Sequence, residues 1–183
     1  DNYQSAGEYL SQVNSLLKDT LSKTDQKNTN EEGFDGGVCI YYRSSRKLEF
    51  AGAKASIFQV QSDGATEMVG DRKSVGSTRV KEGFEFSTHE INDPSGSFVM
   101  LTDGITDVMS PEERPIAFGR RRVLKLLQQA TDRSPRYIVE KIMNSVDLYR
   151  GEAPFRDDLT LLAFSFNESD SLEGESLAGE EQA

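Results

Sequence analysis

"FVMLTDGITDVMS", residues 98–110, decides how the chain is organised. It begins as an apolar run, stops at Asp103 and Gly104, and then takes up apolar residues again at Ile105, Val108 and Met109. The first half reads as a strand and the second as a helix. Two aspartates, Asp103 and Asp107, straddle the change. If the helix starts near Gly104, both carboxylates face the same side of the strand end, and Gly104 lets backbone approach a ligand. Taken singly, each acid has a plainer account: Asp103 caps the helix, and Asp107 is a solvated first-turn acid favoured by the helix dipole.

On the N-terminal side, residues 5–22 place Tyr9, Leu10, Val13, Leu16, Leu17 and Leu21 at a helical period, which predicts a packed helix. The stretch "KTDQKNTNEEG" that follows is polar and reads as an exposed loop. Short runs rich in branched and aromatic residues come next: "GGVCIYY", "KLEFAGA", "SIFQV", "ATEMVG", "FEFSTHEI" and "GSFVMLT". Turn-forming "RSSR", "SDG" and "NDPSG" separate them at hairpin spacings, so the sheet is expected to be largely antiparallel. On the C-terminal side "VLKLLQQA" is helical, and "SPRYIVEKIMNSVDLY" opens with a Ser134 cap and Pro135 at the first helical position. The nearly continuous apolar run "LTLLAFSF" predicts a central strand buried on both faces. Strands, then helices, then a closing strand describe an α+β layered domain.

Composition narrows the chemistry. At 183 residues and 36% hydrophobic content the chain suits one soluble domain. It holds no apolar run long enough for a membrane span and no secretion-signal layout, which places the expected location in the cytoplasm, without direct membrane contact by this segment. The net charge is −10, but six of the acids and no Lys or Arg fall in residues 167–183, an acidic tail expected to be disordered. No basic nucleic-acid footprint is present; Arg120, Arg121 and Arg122 open a helix and are read as solvated or paired with Glu112 and Glu113. A single cysteine, Cys39, and a single histidine, His89, both in strand-like contexts, exclude disulfides and cysteine- or histidine-rich zinc sites. A bound metal would therefore be held mostly by oxygen, which points to Mg²⁺, Mn²⁺ or Ca²⁺.

A second acidic pair lies in "PFRDDLTLLAFSF", where Asp157 and Asp158 precede the last strand. A turn balanced by Arg156 is the plain reading; together with Asp103 and Asp107 these acids also form a set of hard oxygen ligands. Asp71 and Arg72 are expected to fix a turn, and Asp35 with Gly36 and Gly37 to form a strand entry.

"LTDGITDVM" followed by "RDDLTLLAF" resembles the C-terminal half of the PPM/PP2C-type metal-dependent protein phosphatases, in the bacterial branch related to SpoIIE and RsbU. "DGGVCIYY", "LEFAGAKASIFQV", "GDRKSVGS" and "FGRRRVLKLL" extend the likeness over residues 8–166. The resemblance implies a β-sandwich of largely antiparallel sheets flanked by helices, in which Asp103 and Asp157 ligate a core metal and Asp107 an accessory one. Asp158, where the family often has Asn, and Gly104 take supporting roles. It implies two Mg²⁺ or Mn²⁺ ions that activate a water against phosphoserine or phosphothreonine, and a phosphorylated regulator of the anti-sigma-factor-antagonist type as substrate. The family's Asp-x-x-Gly-His-Gly element is missing from this sequence. Residues 1–166 are accordingly expected to form such a domain without its N-terminal strands, binding metal weakly by themselves. A non-catalytic signalling module of the same fold is the alternative, and a homodimer through the Leu-rich helix is the second reading of that helix.

Overall fold

The computed structural model describes residues 4–24 and 33–166; the tail at 167–183 and most of the polar loop after the first helix lie outside the described residues. Strands β1 (Gly36–Tyr42) and β2 (Lys47–Ala53) form a hairpin in full antiparallel register, from Gly36 opposite Ala53 to Tyr42 opposite Lys47. With β5 (His89–Asn92) paired to β2, they make a three-stranded sheet. The second sheet has the order β4-β3-β6-β7, from β3 (Ser56–Gln61), β4 (Gly64–Val69), β6 (Ser97–Leu101) and β7 (Leu161–Ser165), again antiparallel throughout.

Strand alternation decides what each sheet faces. Leu48 and Phe50 on β2, Ile57 on β3 and Phe98 on β6 point between the sheets and form their shared core. The alternate residues Ala51 and Ala53 meet α1 (Ala6–Thr24) through Ala6 and Leu10. Phe58, Val60 and Val99 meet α3 (Arg120–Gln128) and α4 (Pro135–Arg150) through Val123, Leu127, Ile138 and Ile142. The result is a sandwich with helices on both outer faces, the PP2C-like α+β layering.

Four local expectations change. First, the helix after Asp103 is a single turn, α2 (Asp103–Thr106), because beyond Asp107 the chain pairs instead with residues 116–118: Phe118 N–H donates to Val108 O at 2.8 Å and Ser110 N–H to Ile116 O at 3.0 Å. Pro111 and Pro115, lacking amide hydrogens, favour that loop over a continued helix. Second, β7 is an edge strand, not a central one, and Leu162 is 53% exposed. Helices cover one of its faces, where Leu161 and Ala163 pack, and the other is covered only in part, where Phe164 packs between the sheets but Leu162 does not. Third, only the last three residues of "FEFSTHEI", His89 to Ile91, are strand; the Phe86 amide donates to Ser11 Oγ on α1 at 2.8 Å instead of to a ladder. Fourth, two of the tight connections are crossovers between sheets rather than hairpins: Lys54–Ala55 carries β2 to β3, and residues 93–96 carry β5 to β6.

Candidate functional site

The end of β6 and the approach to β7 are tied together through Thr102 and Thr160. Thr102 N–H donates to Thr160 O at 3.1 Å, and Thr160 N–H donates to Thr102 Oγ1 at 3.0 Å. Thr102 holds the N-cap position of α2 with extended backbone, but its hydroxyl serves β7 and leaves the helix uncapped by a side chain. Asp103 is thus the first helical residue rather than the cap, and Asp107 closes the turn, its N–H donating to Asp103 O at 2.7 Å. Gly104 is buried, and a Cβ there would collide with the Asp158 carbonyl oxygen. The Asp103–Gly104 and Asp157–Asp158 segments therefore meet at one end of the sandwich.

Two hollows open there and share Asp103 and Lys54. The smaller, about 120 Å³, is lined by Lys54, Ser56, Glu67, Asp103, Thr106 and Arg120. The larger, about 430 Å³, runs between the ends of the two sheets and is lined by Asp35, Cys39, Lys54, Met100, Asp103 and Thr160 among others. Asp103, Asp107, Asp157 and Asp158 are all exposed. Asp157 accepts the Asp158 N–H at 2.8 Å, and Asp107 accepts the Thr106 hydroxyl at 3.4 Å. Among the described residues no three His, Cys, Asp or Glu side chains come together as a metal cage.

Several neighbours were not legible as site residues. Lys54 looks unremarkable in "AGAKAS", yet the crossover puts it beside Asp103, with its Nζ 3.4 Å from Asp35. Arg120 pairs with Glu67 on β4, its Nη2 also donating to Ser56 Oγ at 3.1 Å, rather than with the expected Glu112 or Glu113. Arg122 donates to the carbonyls of Ala117 and Phe118 and lies over the Tyr149 ring at 4.8 Å. Asp71 braces a distant segment instead of its own turn, accepting from Ser87 N–H at 2.7 Å. Burial pushes the Cys39 thiol up to about 11, so it is a protonated strand residue. The His89 ring contacts the Val69 carbonyl at 3.0 Å and stacks against Phe50.

A family model for Stage II sporulation protein E (SpoIIE) matches residues 2–167. The chain belongs to the SpoIIE family. Among solved structures, the SiaA-PP2C domain of Pseudomonas aeruginosa superposes with a TM-score of 0.71 at 27% identity, covering 89% of this chain. This SpoIIE-family chain spans 61% of that domain's chain. The phosphatase domain of the cell-fate determinant SpoIIE from Bacillus subtilis shares the fold at a TM-score of 0.56 and 12% identity, covering 91% of this chain and 76% of its own. No curated protein matches the chain. Among the described residues no helix is long and apolar enough to cross a membrane.

Proposed function

We propose that this SpoIIE-family chain is part of a metal-dependent serine/threonine phosphoprotein phosphatase, the output domain of a bacterial signalling protein that acts on a phosphorylated regulator. The observation that carries the reading is the meeting of Asp103–Gly104 with Asp157–Asp158 at the open end of a PP2C-like sandwich. Asp103 and Asp157 would hold the core Mg²⁺ or Mn²⁺ and Asp107 an accessory ion, with Gly104 and Asp158 in support. The donor set fits hard cations: the carboxylates are exposed, Thr102 and Thr160 line the larger hollow beside Asp103 with further oxygen, and of the two sulfurs there Cys39 is a protonated thiol and Met100 a thioether. Bound there, the ions would lower the pKa of a coordinated water and offset charge on phosphoryl oxygens.

The chain's own residues supply the rest. Asp103 presents its carboxylate at the wall between two solvent-reached hollows, where a phosphorylated side chain can enter. The two ties between Thr102 and Thr160, one backbone to backbone and one to the Thr102 hydroxyl, hold it there. Neither Cys39 nor His89 offers a nucleophile or base at this place, which supports attack by water.

The test is Mn²⁺-dependent phosphate release from a phosphoserine peptide and from p-nitrophenyl phosphate. The Asp103→Asn variant is expected to lose at least about 100-fold in rate, more than loss of an outer-shell partner costs. A wild-type protein that binds phosphoprotein with no turnover would instead be a binding module of the same fold.

A further inference from the structure

Lys54 stands out from every other residue around the Asp103 hollows because its backbone is strained. It adopts φ +48, a left-handed conformation costly for a side chain with a Cβ. The surrounding structure imposes it. Lys54 N–H donates to Asp71 O at 2.7 Å, Asp71 N–H donates to Gly52 O at 2.8 Å, and Gly70 N–H donates to Ala55 O at 3.0 Å. Gly70 lies so close beneath that a Cβ there would collide with Gly52 and Ala55. Glycine would fit position 54 without strain, yet the residue held there carries an ammonium.

The charges around that ammonium are unequally matched. Two cations and three acids line the hollows: Lys54, Arg120, Asp35, Glu67 and Asp103. Arg120 is committed, its Nε and Nη2 both on Glu67 and its Nη2 also on Ser56. Lys54 is not: its ion-pair partner among the described residues, Asp35, is 3.4 Å away, and the two side chains are 51% and 40% exposed. An exposed pair of this kind contributes little, about 0–1 kcal/mol, so another anion can displace it readily. A phosphate monoester dianion approaching Asp103 meets carboxylate repulsion, and Lys54 is the mobile counter-charge at that place.

We propose that Lys54 is a phosphate-binding residue: its ammonium leaves Asp35 to take the oxygens of a phosphate monoester entering the Asp103 hollow, with Asp35 as the internal competitor. This inference rests on the phosphatase reading for its substrate, a phosphorylated Ser or Thr side chain, but its test does not need turnover. Inorganic phosphate and a phosphoserine peptide are titrated by calorimetry into the whole chain without metal and again with Mn²⁺. Lys54→Met is expected to weaken both ligands by about fivefold or more, Lys54→Arg to stay within about twofold, and Asp35→Asn to tighten both by about two- to fivefold.

Opposite signs for Lys54→Met and Asp35→Asn are what a merely structural ion pair cannot give. Lys54→Gly keeps the two effects apart, since relief of the positive φ should raise the melting temperature while phosphate binding falls as in Lys54→Met. Equal affinities in all variants, a common loss in both Lys54→Met and Asp35→Asn, or no phosphate binding by the wild type overturns the proposal. Loss confined to the peptide also overturns it, because Lys54 would then read peptide rather than phosphoryl group. If no metal condition gives turnover but the affinities move as stated, the phosphatase reading fails and this one stands. If turnover occurs and Lys54→Met leaves KM unchanged, this one fails alone.

Discussion

At the scale of single residues, the site depends on a contact that only glycine permits. Gly104 does not need unusual dihedral freedom; it sits in a helical turn, and what it provides is the missing Cβ that lets the Asp158 carbonyl approach. Gly104→Ala must therefore push the Asp103 turn away from the Asp157 segment or displace the whole entry to β7. The expected cost is about 1–3 kcal/mol of stability, the range for overpacking, measured by urea unfolding. A melt indistinguishable from wild type would mean that the two acidic segments are not in close contact. Asp158 is the control: its carbonyl makes the contact, so Asp158→Asn should leave stability within about 0.5 kcal/mol.

At the scale of elements, α1 is fastened to the three-stranded sheet by a buried charge. Glu49 on β2 is 3% exposed, accepts the Ala6 N–H at the start of α1 at 2.9 Å, and pairs with Lys47 Nζ at 2.7 Å. Burial alone would raise its pKa, but the bonds from Lys47, Ala6 and Tyr42 together outweigh burial and hold it below the ordinary 4.5. A depressed carboxyl stabilises the fold above its unfolded value and loses that contribution as pH falls through the folded value. Glu49→Gln is thus expected to cost about 1–3 kcal/mol at neutral pH, with the gap to wild type closing below about pH 4.5 in thermal melts followed across pH. A gap that stays constant down to pH 3 would remove Glu49 as a charged anchor. The elements themselves were largely legible. β1 and β2 coincide with "GGVCIYY" and "KLEFAGA", and Ser134 caps α4 as its sequence predicts. What periodicity could not tell was which neighbours cover an apolar face: β7 reads as central, yet it has one strand neighbour, helices over one face and an exposed Leu162 on the other. The same limit hid Lys54, since a crossover between sheets and a hairpin turn share one spacing in sequence and differ only in where they send the side chain.

At the scale of the whole molecule, the sandwich gathers acids at one end but does not close a coordination shell among the described residues. Asp103 and Asp157 come from segments fifty-four positions apart in number, joined by the β6–β7 pairing, and this much was legible as two Asp motifs but not as one place until the register was known. Carboxylate count sets divalent affinity, so a chain offering two or three exposed carboxylates with water as the remaining ligand should bind one ion weakly, with a Kd of about 0.1–1 mM. Mn²⁺ titration of the whole chain by calorimetry is expected to show one such site, lost in Asp103→Asn and in Asp157→Asn. Asp107→Asn should weaken it less, because Asp107 closes the helical turn and its carboxylate accepts from the Thr106 hydroxyl beside it. Two tight sites would show that this chain alone assembles a full dinuclear centre. One weak site that Asp157→Asn leaves intact would place the ion on Asp103 and the surrounding main chain, and would take the β7 entry out of the metal site while leaving its role in the fold.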